Sequence, residues 1–120
     1  MIKRVVVAGC RDFYDYDVAK DFIEHCISNI RKEYELVFLS GTCSGADQLG
    51  ERFAKENGLA IEYYPADWQT YGKSAGPRRN KQMATDADFI IVFWDGKSRG
   101  TKSMITFSEK LNKPLKIKMI

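Results

Sequence analysis

The sequence predicts an α/β fold of three layers, a parallel five-stranded sheet of strand order 3-2-1-4-5 between two layers of helices. Three observations predict it. First, apolar strand-like runs alternate along the whole chain with segments whose apolar residues recur at helical spacing. Second, Val5–Ala8, Leu36–Leu39 and Phe89–Phe93 are continuously apolar, as strands buried on both faces of a parallel sheet are. Third, Leu115–Met119 alternates with lysine and Ile61–Tyr64 is mixed, the patterns of strands at the two edges.

The elements follow in order. The first strand, Val5–Ala8, runs into the loop Gly9-Cys10-Arg11-Asp12-Phe13 and then a helix with Val18, Phe22, Ile23, Cys26, Ile27 and Ile30 on one stripe. The second strand feeds the glycine-bearing loop Ser40–Asp47. Its helix repeats Ala46, Leu49, Gly50, Phe53 and Ala54 at helical spacing and stops at Asn57-Gly58. Ser44 and Asp47 fit an S-x-x-D capping pattern at its start. After the third strand comes a long connection, residues 65 to 75, and then Gly76-Pro77, which places proline at the favoured first position of a third helix. The fourth strand leads through residues 95 to 100 to a last helix with Met104, Phe107, Ser108 and Leu111 on one face. Thr101 is a candidate N-cap there.

At 120 residues the chain, 1–120, is expected to form a single domain. Nineteen Lys and Arg against sixteen Asp and Glu give a net charge of +3, with no dense basic stripe, which argues against nucleic acid. Cys10, Cys26 and Cys43 are odd in number and lack C-x-x-C spacing, so neither a disulfide framework nor a zinc site is expected. No metal and no cofactor is implied. The start Met1-Ile2-Lys3-Arg4 runs directly into a strand and no apolar run is long enough to span a bilayer, so a cytoplasmic protein without membrane partners is expected. The single histidine, His25, falls off its helix's stripe and supports no catalytic triad.

In a 3-2-1-4-5 sheet, a Rossmann-like arrangement, the chain reverses between strands one and four, and ligands bind at the carboxyl ends of the strands there. Gly9, Arg11 and Asp12 lie at the end of the first strand. Gly41, Thr42, Ser44 and Gly45 form a corner whose free backbone N–H groups suit a phosphate, with Asp47 better placed for a ribose hydroxyl. Arg78 and Arg79 stand in the first turn of the third helix, where cations oppose the macrodipole unless an anion is near, and Arg79 suits bidentate phosphate contact. Asn80 sits on the apolar stripe with Met83, Ala84 and Ala87, either tying a neighbouring loop or contacting ligand. Gly100 and Thr101 offer an N–H and a hydroxyl to a second phosphate or ribose. Trp68 and Tyr71 are candidates to stack on a base or to cover the sheet edge.

Gly9-Cys10-Arg11-Asp12-Phe13, Ser40-Gly41 through Gly45-Ala46-Asp47, and Gly76-Pro77-Arg78-Arg79-Asn80 through Met83 occur together and in order. In this combination the chain resembles the SLOG superfamily of Rossmann-like proteins, and within it the small YspA/YpsA-related branch. Two departures stand out: Cys10 replaces a small residue, and Thr42-Cys43-Ser44 lacks one glycine and one basic side chain of the branch's phosphate loop. The superfamily includes the LOG phosphoribohydrolases and the DNA-processing protein DprA. Arg79, Met83 and Ala87-Asp88 match a LOG stretch whose arginine is catalytic, but Met104 stands where those enzymes carry their catalytic glutamate. The resemblance therefore implies, first, a binder of a nucleotide or nucleotide-derived molecule, such as an NAD or ADP-ribose derivative or a nucleoside phosphate, acting as sensor, carrier or sequestering protein. The alternatives are an N-glycosidic hydrolase using Arg79 with Asp95 or Asp12, and DprA-like binding of single-stranded DNA. Self-association into a homo-oligomer is also implied.

Overall fold

Ile2–Gly9 forms the central strand β1 of a computed structural model that describes residues 1–120. It pairs in parallel with β2 (Glu35–Ser40) on one side and β4 (Phe89–Trp94) on the other. β3 (Ala60–Tyr63) adds beside β2 and β5 (Leu115–Met119) beside β4, giving the order β3-β2-β1-β4-β5. The predicted fold class and strand order are those observed.

Strand periodicity sorts the central residues onto two faces. Val5, Val7, Phe38, Ile91 and Phe93 pack with Ile23, Ile27 and Phe53 of α1 (Tyr16–Ile27) and α3 (Ala46–Glu56). Val6, Ala8, Leu39, Ile90 and Val92 pack with Met83, Ala84, Met104 and Ile105 of α5 (Ala75–Asp86) and α6 (Arg99–Lys110) on the opposite face. Two helices per face are the three layers. β5 keeps four of its five residues exposed, as its lysine alternation predicts for an edge.

Four local expectations are corrected. The first helix does not run unbroken to Ile30: α1 ends at Ile27, and Ile30–Glu33 form a separate turn, α2. The Ser28 hydroxyl donates to the His25 carbonyl at 3.1 Å, a local bond that competes with helical continuation. The long connection holds α4 (Trp68–Tyr71), capped by the Asp67 carboxylate, and a 3-10 turn, Gly72–Ser74, leading directly into α5. Pro77 is therefore the third residue of α5 rather than the first, still within the turn whose N–H groups have no helical partner. Arg78 and Arg79 consequently stand just past that turn. Finally, α6 buries Thr101, Met104, Ile105 and Ser108, and Leu111 lies beyond its end, 39% exposed. His25 is exposed, as expected.

Candidate functional site

The site begins where β1 ends. The Cys10 N–H continues the pairing by donating to the Phe93 carbonyl at 3.1 Å. The Cys10 carbonyl then accepts the Ala46 N–H at 3.1 Å, tying this loop to the start of α3. Gly45 has φ +74°, and a Cβ built on it would lie 2.5 Å from the Arg11 carbonyl carbon. Two loops meet there backbone to backbone, and only glycine fits. Ser44 donates its hydroxyl to the Arg11 carbonyl at 3.1 Å. It does not cap α3; the cap position is Gly45, with no side-chain bond, so the capping pattern predicted for Ser44 and Asp47 is not realised.

The predicted phosphate corner is partly self-satisfied. The Thr42 N–H donates to the Ser40 hydroxyl at 3.1 Å and the Cys43 N–H to Asp47 Oδ2 at 3.2 Å, so with Ala46 three of the corner's N–H groups already have partners. Thr42 takes a positive φ, +66°, to make the turn. Asp47 is 5% exposed. Burial raises its carboxyl from 3.8 to about 6, against the lowering effects of the Cys43 N–H and the Arg79 charge; Glu51 adds to the rise. A side chain on Gly41 would push between Asp47 Oδ2 and Arg79 Nη1, at 2.8 and 2.9 Å from its Cβ.

α5 carries Arg79 and Asn80 into this corner. Arg79 donates Nη1 to the Gly41 carbonyl, Nε to Asn80 Oδ1 at 2.9 Å and Nη2 to the Cys43 sulfur at 3.6 Å. A guanidinium has five N–H groups, so two remain for a ligand. Asn80, 8% exposed, completes its own bonding by donating Nδ2 to the Gly100 carbonyl at 3.3 Å. Its role in the fold is thus to tie α5 to the start of α6.

The loop after β4 is organised by Asp95, whose Oδ1 accepts the Lys97 and Ser98 N–H groups, each at 2.8 Å. These bonds, Ser98 first, hold its carboxyl below the ordinary value. Ser98, not Thr101, caps α6, accepting the Thr101 N–H at 3.3 Å. The Thr101 hydroxyl is buried between the Ser98 hydroxyl at 3.0 Å and the Cys10 sulfur at 3.9 Å.

Together these parts enclose a cleft of about 510 Å³ at the carboxyl ends of β1 and β4, within the size range of small-molecule sites. Gly9, Arg11, Asp12, Asp47, Arg79, Asn80, Asp95, Gly100 and Thr101 line it, and it lies at the reversal between β1 and β4. A second pocket of about 410 Å³ adjoins it, lined by Gly41, Thr42, Ser44 and Trp68. Arg11, Cys43 and Arg79 are common to both. Gly45 and Tyr71 line neither. Tyr71 instead lies under the Arg78 guanidinium, 4.3 Å from its ring centroid, while Arg78 Nε donates to the Ser74 hydroxyl at 3.2 Å. No local pair forms between Arg11 and Asp12. The ion pairs are Arg4–Glu62 and Arg52–Glu56, leaving Arg11 without a carboxylate partner.

Several lining residues carried no strong sequence signal. Tyr14, 60% exposed on the cleft wall, follows the strand-end loop without joining any helical stripe, the one hint it offered. Ser98 was marked only by its place three residues before Thr101. Met83 and Met104 belong to the core stripes of their helices, and both also line the cleft.

A Rossmann-like sheet with a polar cleft at its point of reversal defines a broad class of ligand-binding domains. Within that class, residues 3–71 match the family described as YAcAr, the YspA, cpYpsA-related SLOG family, and the chain belongs to it. It is similar over its length to the Gene 61 protein of Mycobacterium phage D29, 31% identical across 95% of this chain and 94% of that protein. Among solved structures it resembles DprA from Streptococcus pneumoniae, with a TM-score of 0.68 at 20% identity, over 98% of this chain and 50% of that one. Protein TM1055 gives 0.66 at 20% identity, over 96% of this chain and 72% of the other. DprA from Helicobacter pylori, whose structure concerns its single-stranded DNA binding, gives 0.64 at 20% identity, over 96% and 64%. These structural likenesses establish the fold. No helix is long and apolar enough to cross a membrane.

Proposed function

We propose that this protein binds a nucleotide or nucleotide-derived small molecule, as a sensor, carrier or sequestering protein. The observation that carries the proposal is Arg79. It is anchored by three bonds between the glycine corner and α5, so two guanidinium N–H groups are held in a fixed orientation beside the unpaired Arg11. Two arginines in a cleft also lined by the Asp12 and Asp95 carboxylates suit a phosphate joined to a ribose. The similarity to a phage protein favours a host cytosol as the place of action, and association between copies of the chain belongs to the same proposal.

Hydrolysis of the ligand is disfavoured. Met104 lines the cleft where the LOG resemblance calls for a glutamate, and one oxygen of the Asp95 carboxylate, Oδ1, is taken by two N–H groups. The test is a thermal-shift screen against nucleoside mono- and diphosphates, NAD, ADP-ribose and cyclic nucleotides, with assay of free base in the same mixtures. A compound at one hundred times its Kd adds about 2.7 kcal/mol, worth roughly 10 °C in a domain of this size. The expected result is a shift without released base. Multiple turnover abolished by Asp95→Asn or Asp12→Asn would establish the hydrolase instead, and no shift with any phosphate-bearing compound would reject the proposal.

A further inference from the structure

The second pocket gives the site a shape that a single nucleotide does not use. Each pocket by itself is of the size that takes one small ligand. They are not separate sites, because Arg11, Cys43 and Arg79 form a wall common to both. The two cations of the site thus lie between the pockets and not at the end of either.

An exposed aromatic ring stands on each side of that wall. Trp68, 50% exposed, lines the second pocket together with Pro65 and Ala66; Tyr14, 60% exposed, lines the first. Neither ring is held by the aromatic pairs of the fold, which join Phe13 or Phe22 to Phe93 and Phe38 to Phe53. Large exposed aromatics beside a cationic centre are the features that stack planar bases and neutralise phosphate. The first pocket is additionally lined by Asp12, whose carboxylate has no partner in the fold and is suited to a sugar hydroxyl, whereas Thr42 lines the second.

Resting on the proposal of nucleotide binding above, we infer that the ligand is a two-base molecule, a dinucleotide joined through phosphate. The linking phosphate sits at Arg11 and Arg79, one base lies against Trp68, and the other lies on the Tyr14 side. Contact with both rings makes the two halves of the ligand additive, so the joined molecule gains the affinity that each half alone lacks.

The test is calorimetric titration of the full chain with AMP, ADP, NAD, diadenosine diphosphate, the dinucleoside monophosphate ApA and a twelve-residue oligothymidylate. The expected result is at least tenfold tighter binding of one of the two-base probes than of AMP or ADP. Tyr14→Ala and Trp68→Ala should each remove most of that gain. Trp68→Phe should restore much of it, which separates loss of stacking from disturbance of α4. Mononucleotides binding as tightly as every two-base probe would overturn this inference and leave nucleotide binding standing. No binding by any nucleotide would overturn both. Affinity that grows with the oligothymidylate alone and falls steeply with salt would overturn the small-molecule ligand in favour of single-stranded DNA.

Discussion

Asp47→Asn changes one oxygen at the centre of the glycine corner and leaves the shape of the side chain intact. In the parent the carboxyl is 5% exposed, and burial raises it from 3.8 to about 6. Such a rise means that folding favours the protonated form. The stabilisation is complete below 3.8 and is lost as the pH rises through about 6. At about 1.36 kcal/mol per pH unit, the ionised carboxylate then costs the fold up to about 3 kcal/mol at pH 7.5. An asparagine carries no such charge and still offers an oxygen to the Cys43 N–H. The variant should therefore match the parent near pH 4 and exceed it by about 2–3 kcal/mol at pH 7.5. Urea denaturation at several pH values measures this; with a slope of about 2 kcal/mol per molar urea, the midpoints should separate by about 1–1.5 M at the higher pH only. Comparing the two proteins at each pH cancels the opposing effect of Asp95, whose carboxyl is lowered and which the variant retains. A variant less stable than the parent at pH 7.5, or a difference independent of pH, would refute the reasoning.

Gly45→Val places a branched side chain at φ +74° against the Cys10–Arg11 backbone. It should destabilise the fold by more than about 2 kcal/mol in thermal or urea unfolding, because neither loop has anywhere to move; near-parental stability would show that the loops are not locked together. Arg79→Ala removes three bonds that fasten the corner to α5, so it should lower stability by about 1.5–3 kcal/mol as well as weaken phosphate-bearing ligands. Loss of binding with unchanged stability would mean that the arginine is anchored less firmly than its geometry implies.

The central sheet was legible in the chain because burial on two faces leaves an unbroken apolar run, and Val5–Ala8, Leu36–Leu39 and Phe89–Phe93 have no other reason to be so apolar. The lysines of Leu115–Met119 likewise announced an edge. From that order alone follows the place of the cleft, since the point of reversal depends on topology and not on side-chain detail. Who partners whom within the cleft depends instead on residues far apart in sequence. Arg79 and Gly41 are brought together because α5 sends its guanidinium to the loop that follows β2, and Gly45 meets Arg11 because two loops share one corner. Local pattern suggested that Ser44 and Thr101 were caps, but a hydroxyl takes whichever partner the fold brings within reach, the Arg11 carbonyl in one case and Ser98 in the other. Tyr14 and Trp68 show the limit most plainly. The sequence by itself determined the architecture and the end of the sheet where the cleft opens, because periodic burial is written residue by residue. Only the tertiary structure decided that two adjoining pockets share a cationic wall, because that wall is assembled from two loops and a helix that are far apart along the chain.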